Sequence, residues 1–398
     1  MKQANHLYLV SAILACALTA PTDAAWGKTL RVDCDGPGSS QAAIQFGAAF
    51  TLRRALEVAL PGDLIEVSGT CREPVTITSG PLTIDGDGSA VIDGASMPSA
   101  NPEFNGLVTI DGASGVVLRG LTVRNSPGEG ILAVNGASLV LEDSIVEANL
   151  TGMRLWGSSA ELADSQVSDN VFGLEAYTQS SLVFRGLVDV SANSGERAGL
   201  FLTGNSVAEI RGGHLRANGN VGVGVVIAGH STLQILGQLQ AGQGSRLTAS
   251  GNLSPGISIA DGSLFVPGLG APPGGIVITA SGNAGPGIAL LFEGRISSPF
   301  GAARFVLENN PVGLLASQGA SVGITGGLQA SNNFAAGVIA DKATGLNLVS
   351  IPPNPAAIEF NGTDVILGFG TRSSIQNVTV GSIVCDPTVL SRGTVVCP

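Results

Sequence analysis

Charged side chains are scarce in this sequence. Only 12% of its 398 residues are Asp, Glu, Lys or Arg, whereas 44% are hydrophobic. An ordinary globular protein carries about twice that share of charge. Acidic residues also outnumber basic ones, and the formal net charge of −11 repels phosphate backbones and anionic lipid surfaces. Nucleic acid is therefore not expected as a partner.

Aromatic residues are also few, with 13 Phe, 2 Tyr and 2 Trp, and long helical patterns are absent. The 57 glycines stand among abundant Val, Ile, Leu, Ala, Ser and Asn. This composition is typical of short β-branched strands joined by tight turns. The chain is long enough for one extended core, so we expect an all-β protein.

The N-terminus has the pattern of an export signal. Lys2 supplies the positive start, and the apolar run from Leu7 to Leu18 is too short to span a bilayer. Small residues follow, and cleavage is expected after Ala24 or Ala25. An alternative is a lipoprotein, because residues 13–16 resemble a lipoprotein box with Cys16 as the lipidated residue. Either way the mature chain is predicted to have no transmembrane helix and to be secreted, periplasmic or at the cell surface.

Four cysteines remain after removal or lipidation of Cys16: Cys34, Cys71, Cys385 and Cys397. An even number in an oxidising compartment predicts disulfides. Proximity in the sequence favours the pairs Cys34–Cys71 and Cys385–Cys397, one near each end of the chain. A zinc site is the alternative, and it is disfavoured because no Cys-x-x-Cys spacing occurs.

An internal repeat runs through most of the chain. Each copy has an Asn a few residues before a Gly and an apolar-x-apolar strand after it, at intervals of 21 to 34 residues. The glycines are Gly130, Gly152, Gly173, Gly199, Gly222, Gly256, Gly287, Gly313 and Gly337. The asparagines are Asn125, Asn149, Asn170, Asn193, Asn218, Asn252, Asn283, Asn309 and Asn332. Such a period indicates one coil per repeat, with the asparagines stacked as a structural ladder.

Each repeat contains three short alternating segments, which predicts three parallel sheets wound into a solenoid. Because side chains alternate between the two faces of a strand, Leu141 and Leu155 are expected to fill the lumen. Glu142, Arg154 and Trp156 are expected to point outward. The repeats account for about 11 or 12 coils.

Ahead of the repeats, residues 48–60 have helical spacing of apolar residues and end at Pro61-Gly62, which stops a helix. This helix, the Pro-Gly-Asp-Leu-Ile-Glu-Val segment from Pro61 and the Leu-Thr-Ile-Asp-Gly segment from Leu82 resemble the cap and first coil of the pectate-lyase-like family of right-handed parallel β-helix repeat proteins. The resemblance covers about residues 30 to 380. Together with the expected signal peptide at 1–24, it divides the chain into a cap and first coil at 25–80, β-helix repeats at 81–346, and a last coil with a C-terminal cap or tail at 347–398.

The resemblance places enzyme sites of this family on the outer face of one sheet. The outward candidates there are Arg119, Glu142, Arg185 and Arg211, which could serve a polysaccharide lyase or epimerase acting on a uronate-type polymer. The alternative is a solvated face with cross-strand ion pairs. The family's Asp-Asp, Asp-Pro-His-Asp and Gly-His-Gly patterns do not occur, and the two histidines outside the signal, His214 and His230, stand alone.

Three carboxylates could hold a metal. Asp85, Asp87 and Asp93 lie among flexible glycines and offer the hard oxygen ligands that calcium prefers. Asp-Gly is also ordinary turn chemistry, and the spacing does not match an EF-hand or a nonapeptide calcium repeat. No other cofactor is indicated.

The repeat also places aromatic residues side by side. Counting four residues past each repeat glycine puts Trp156 and Tyr177 on one outward row, with Phe201 one coil further and Arg154 and Glu175 beside them. Exposed rings in a line suit a polysaccharide or a surface partner. The same count puts Val226 on this row. The alternative is that a loop or terminal arm covers the rings.

Farther along, the same face becomes apolar near Leu291, Leu315 and Ile339, which predicts either an oligomer contact or cover by the tail after Leu348. With no catalytic constellation evident, the sequence favours an exported β-helix protein that binds a polysaccharide or surface partner.

Overall fold

The computed structural model describes residues 27–36, 51–97, 106–237, 244–269, 275–351, 355–393 and 397. Within these ranges almost every element is a strand, because apolar residues alternate with polar ones between tight turns. The expected signal peptide, its cleavage sites and Cys16 lie outside the described residues. No helix in the described ranges is long and apolar enough to cross a membrane.

All strand pairs described are parallel, and each strand pairs with its counterpart one coil away. The strands fall into three stacks, called here the first, second and third sheets. The first sheet comprises Thr29–Asp33, Leu64–Ser68, Leu82–Asp93, Val116–Arg124, Ser138–Glu142, Ser159–Ala163, Ser181–Arg185, Val207–Arg211, Thr232–Leu236, Leu264–Leu269, Arg295–Glu308, Ser321–Ser331, Gly345–Val349, Arg372–Gln376 and Leu390–Gly393. Four of these strands, Leu82–Asp93, Val116–Arg124, Arg295–Glu308 and Ser321–Ser331, continue round the corner into the second sheet.

The remaining strands of the second sheet are Thr70–Cys71, Ile145–Glu147, Gln166–Val167, Leu187–Asp189, His214–Arg216, Arg246–Thr248, Ile276–Thr279, Ala356–Glu359 and Val378–Val380. The third sheet comprises Val75–Ile77, Val108–Asp111, Glu129–Val134, Thr151–Trp156, Phe172–Tyr177, Ala198–Leu202, Val223–Ile227, Ile257–Ile259, Ile288–Leu290, Val312–Ala316, Ala336–Ala340, Thr363–Leu367 and Ile383–Cys385. The predicted right-handed parallel β-helix is confirmed. Among the described residues its third sheet has 13 strands, so the expected number of 11 or 12 coils is too low.

One apolar core runs along the axis of the solenoid. Leu141 and Leu155 are fully buried in it, whereas Glu142 is partly exposed and Trp156 is 42% exposed. The predicted inward and outward faces are therefore confirmed at these positions. Neighbouring residues differ in burial because successive side chains of a strand point to opposite faces of the sheet.

The helix spans Leu52–Val58, within the predicted 48–60, of which residues 48–50 lie outside the described ranges. The Thr51 hydroxyl accepts a hydrogen bond from the Arg54 backbone N–H and so caps the first turn. Leu52 and Ala55 are fully buried in the core cluster, so the helix covers the N-terminal end of the lumen.

The C-terminal segment continues the coils. Strands from Ala356 to Gly393 pair in parallel register with the preceding coil. Of the two alternatives for covering the apolar outer face, cover by this tail is therefore wrong for residues 356–393, because their backbone groups extend the existing sheets.

The asparagine ladder exists, with several members corrected. Its side chains bond from coil to coil through Asn149, Asn170, Asn193, Asn220, Asn252, Asn283, Asn310, Asn333 and Asn361. Asn125, Asn309 and Asn332 instead adopt left-handed backbone conformations with φ of 55° to 59°, and Asn218 bonds to the Ser250 backbone N–H. These four asparagines lie one or two residues before the buried turn position that the ladder asparagines occupy on the other coils.

Both predicted disulfides are confirmed. Cys34 is bonded to Cys71, and Cys385 is bonded to Cys397. Each links two segments near one end of the solenoid, where a coil has a neighbour on one side only.

Candidate functional site

Three aromatic side chains lie next to one another on the outer face of the third sheet, with Phe201 in register with Glu175 and diagonal to Tyr177. The parallel register places Trp156 beside Tyr177, and their ring centroids are 5.4 Å apart with an interplanar angle of 23°. The Tyr177 and Phe201 centroids are 5.8 Å apart at 48°. The predicted stacking of Trp156 and Tyr177 is confirmed, and we call Trp156, Tyr177 and Phe201 the aromatic row.

A charge cluster lies next to the aromatic row, formed by Glu129, Arg154, Glu175 and Arg197. Arg154 forms ion pairs with both Glu129 and Glu175, the latter over 2.9 Å from Nη2 to Oε2. Arg197 Nη1 lies 2.9 Å from the other Glu175 oxygen. Both carboxylate oxygens of Glu175 therefore accept bonds from arginines, which suits a planar fork of donors.

Burial distinguishes the members of the charge cluster. The side chains of Glu129 and Glu175 are each 1% exposed, and that of Arg154 is 14% exposed. Arg197 is 50% exposed and is the member that solvent reaches most. A buried carboxylate is tolerable only when paired, so the two arginines are needed to hold the glutamates.

The arginines also contact the rings. The Arg197 guanidinium carbon lies 4.9 Å from the Phe172 ring centroid, and that of Arg154 lies 5.9 Å from the Tyr177 centroid. These are cation–π distances. Arg197 Nη1 also donates to the Tyr177 hydroxyl oxygen over 3.3 Å. The rings and the charges therefore form one connected surface.

Burial, followed by the negative charge of Glu175, raises the pKa of the Tyr177 phenol above its ordinary value. The positive charges of Arg197 and Arg154 oppose this shift without cancelling it. Tyr177 therefore remains a neutral phenol at neutral pH.

Sequence reasoning missed Glu129 and Arg197. Glu129 directly precedes the repeat glycine Gly130 and is in register with Thr151. Comparing the residues one position before each repeat glycine would therefore have found it. Arg197 lies in the turn before strand Ala198–Leu202, where spacing carries no signal. The placement of Val226 on the same row as Trp156 and Tyr177 is wrong. Val226 pairs with Phe201, because that coil is in register from Gly224 rather than Gly222.

The arginine candidates on the first sheet are engaged with acids. Arg119 forms an ion pair with Asp85, Arg185 with Glu161 and Arg211 with Glu209. Register places Arg119 beside Glu142, but Ala163 separates Glu142 from Arg185. The four candidates thus lie on one face without converging on a shared point.

The calcium candidates also have partners. Hydrogen bonding from Arg119 lowers the pKa of Asp85. Asp93 accepts bonds from Arg124 and Asn125, each over 3.1 Å. Asp87 lies where strand Leu82–Asp93 rounds the corner, and its backbone N–H donates to the Asp85 carboxylate over 3.0 Å. Among the described residues, no group of three or more His, Cys, Asp and Glu is arranged to hold a metal.

Leu315 and Ile339 are register neighbours on the outer face of the third sheet, and they and Leu291 are partly exposed. His214 lies on the second sheet with its Nε2 2.7 Å from the Thr248 hydroxyl oxygen. Neither feature contacts the aromatic row.

Residues 105–263 match a family model described as a right handed beta helix region, which includes the aromatic row and the charge cluster. No curated protein matches the chain. Among solved structures, the pectate lyase Pel9A is 14% identical over 89% of this chain and 79% of its own, with a TM-score of 0.37.

An alginate lyase from Paenibacillus sp. str. FPU-7 is 14% identical over 70% of this chain and 98% of its own, with a TM-score of 0.46. The A-module of the mannuronan C-5 epimerase AlgE6 from Azotobacter vinelandii is 14% identical over 85% of this chain and 93% of its own, with a TM-score of 0.41. Since every TM-score is below 0.5, the fold assignment depends on the strand register and the family match.

Proposed function

We propose that this chain is an exported β-helix protein that binds a polysaccharide through the aromatic row without turning it over. The observation that carries the proposal is the contact of Trp156 with Tyr177 and of Tyr177 with Phe201, with ring centroids 5.4 and 5.8 Å apart on adjacent coils. Flat rings that are partly exposed present an apolar face with polar edges, and the apolar faces of sugar rings stack on such surfaces.

The setting of the row favours binding. The rings stand on strands of a continuous sheet, so little conformational entropy is lost when a ligand docks. Arg197 is half exposed and can donate to a sugar hydroxyl or carboxylate at the edge of the row. Glu175 is covered, so we assign it the role of positioning Arg154 and Arg197.

The same contacts argue against acid–base catalysis at this site. A general acid or base must reach the substrate and exchange a proton with it. Both Glu175 oxygens accept from arginines, and its side chain is 1% exposed. Export is supported by the two disulfides, which are typical of oxidising compartments.

The test is titration of the mature protein with polygalacturonate, alginate and a neutral β-glucan while Trp fluorescence is recorded. Trp156→Phe and Trp156→Ala separate the Trp156 signal from that of Trp26. We expect one polymer to shift the emission. Calorimetric titration, which does not depend on the Trp156 ring, should show that Trp156→Ala weakens the binding of that polymer by about tenfold or more. The matched control is Leu187→Ala, which removes a side chain of similar exposure, 40%, on the second sheet.

Equal binding by Trp156→Ala and the wild type would contradict the proposal, as would a Trp156 fully protected from iodide in the unliganded protein. Catalysis is tested separately. If ultraviolet absorbance from unsaturated products rises during incubation with either uronate polymer, with or without calcium, the lyase alternative replaces binding without turnover.

A further inference from the structure

Phe360 occupies a backbone position that disfavours it. Its φ is +59°, in the left-handed region, where a bulky side chain crowds the following carbonyl group. Its side chain is also 80% exposed, so no burial of the ring offsets this cost. Neither the backbone conformation nor packing in the core explains a phenylalanine at this position, which points to a role in binding rather than in folding.

The other coils show what this position ordinarily holds. Phe360 directly precedes Asn361 of the asparagine ladder, and the residue before every other ladder asparagine also has positive φ. Those residues are Ala148, Asp169, Ala192, Gly219, Gly251, Gly282, Asn309 and Asn332. Small residues, Asp and Asn suit this conformation. Among these nine turns only that of Phe360 carries an aromatic residue.

A groove of about 510 Å³ on the outer face of the second sheet is lined by Phe360 together with polar side chains. Register aligns Glu308, Ser331 and Glu359 on successive strands, and places the small Ala357 beside Gln329. Ser331 and Ala357 leave space between the larger side chains. The volume is in the range of small-molecule sites.

The polar wall of the groove is partly organised. Glu308 accepts hydrogen bonds from Gln329 and from the Ser331 hydroxyl, the latter over 2.9 Å. Gln329 in turn accepts from Arg304 over 2.7 Å. The Glu359 carboxylate has no hydrogen-bond or ion-pair partner among the described residues, so its oxygens are available to donors from a ligand.

We infer that this groove binds an uncharged sugar ring, stacked by its apolar face on Phe360. Sugar hydroxyls then donate to Glu308 and Glu359 and accept from Arg304. Two carboxylates against one guanidinium make the lining net negative, which disfavours uronate or sulfated rings. The site is on a different sheet from the aromatic row and is independent of the function proposed for that row.

The test uses calorimetric titration of the mature protein with cellohexaose, mannohexaose, xylohexaose and the N-acetylglucosamine hexamer, with hexagalacturonate as the acidic counterpart. We expect a neutral hexamer to bind and hexagalacturonate to bind about tenfold more weakly or not at all. Glu359→Gln should narrow that difference, because it removes one negative charge while keeping a polar side chain.

The decisive variant is Phe360→Asn. Asparagine suits positive φ, so the thermal midpoint should stay the same or rise while affinity for the neutral hexamer falls by about tenfold or more. Phe334→Ala is the matched control, since Phe334 is 91% exposed on the preceding coil and does not line the groove. The affinity of Phe334→Ala for the neutral hexamer should be unchanged. Trp156→Ala should also bind the neutral hexamer as the wild type does.

The proposal is overturned if no neutral hexamer binds, if hexagalacturonate binds as tightly as the best neutral hexamer, or if Phe360→Asn binds normally. A lower thermal midpoint in Phe360→Asn would show that the ring supports the fold instead. Loss of binding in Trp156→Ala but not in Phe360→Asn would assign the sugar to the aromatic row and would leave the function proposed for that row standing.

Discussion

The side-chain amide of Asn310 donates a hydrogen bond to the side-chain oxygen of Asn333 on the next coil, over 3.2 Å. The same Asn333 oxygen accepts the Asn310 backbone N–H over 3.1 Å, and the Asn333 amide donates onward to Asn361 over 2.9 Å. Each ladder asparagine thus satisfies groups of two neighbouring coils inside the protein, where no water replaces a lost partner.

We therefore expect Asn333→Ala to lower the free energy of unfolding by about 2 kcal/mol or more, because it leaves buried donors and an acceptor unpaired. Asn332→Gly is the matched control. Asn332 is exposed and has φ of +55°, which glycine adopts freely, so its removal should change stability by less than about 0.5 kcal/mol. Urea melts measure the free energy of unfolding of the two variants. Equal losses would show that the ladder does not stabilise the coils.

The lumen gives a second prediction. Leu155→Ala should lower the free energy of unfolding by about 2–5 kcal/mol, because it opens a cavity in a fully buried site. Glu142→Ala, on the partly exposed outer face of the first sheet, should cost less than about 0.5 kcal/mol. Denaturant unfolding measures both. Similar losses at the two positions would mean that the faces are assigned wrongly.

The charge cluster gives a third prediction. Glu175→Gln should destabilise the protein by roughly 3 kcal/mol, because Arg154 is 14% exposed and loses one of the two carboxylates that compensate its burial. Glu161→Gln also removes an arginine partner, but Arg185 and Glu161 are 44% and 35% exposed, so the loss should be about 0–1 kcal/mol. Thermal melts compare the two. A Glu175→Gln variant as stable as Glu161→Gln would refute the assigned positioning role.

His214 gives a prediction about pH. Burial, followed by the positive charges of Arg216 and Arg246, lowers its pKa below the ordinary 6.5. The unfolded chain then binds more protons than the folded one between the two pKa values, so the free energy of unfolding falls as the pH drops below about 6.5. His214→Gln should flatten this dependence between about pH 7.5 and about pH 5.5.

Melts at several pH values test the His214 prediction. Arg246→Gln removes one of the two cations that lower the pKa, so it should reduce the slope without abolishing it. An unchanged slope in His214→Gln would show that other groups control stability in this pH range.

The face of each side chain could be read from the sequence. Leu155 and Trp156 are adjacent, and one is buried while the other is 42% exposed, as alternation requires. The disulfides were also predictable, because Cys385 and Cys397 are close in sequence and local closure brings them together. Alternation depends on a few consecutive residues, and the disulfide pairs join the cysteines nearest to each other in the sequence, 37 and 12 residues apart.

Lateral register was only partly predictable. The Trp156–Tyr177 contact followed from equal offsets, because their two coils have the same turn lengths. Two coils beyond Tyr177, the shift from Gly222 to Gly224 moved Val226 next to Phe201. A difference of two residues in a turn keeps every side chain on its face but changes its neighbour, so only the backbone pairing could decide it.

The sequence by itself determined the solenoid, its inward and outward faces, its disulfides and the adjacency of Trp156 and Tyr177, because strand alternation and repeat spacing are local properties. Tertiary structure alone decided that Glu175 is buried between Arg154 and Arg197, and that Phe360 borders a groove with Glu308 and Glu359. These neighbours lie on different coils, more than 20 residues apart in most cases, and their contacts depend on turn lengths, side-chain direction and burial that arise only when the coils stack.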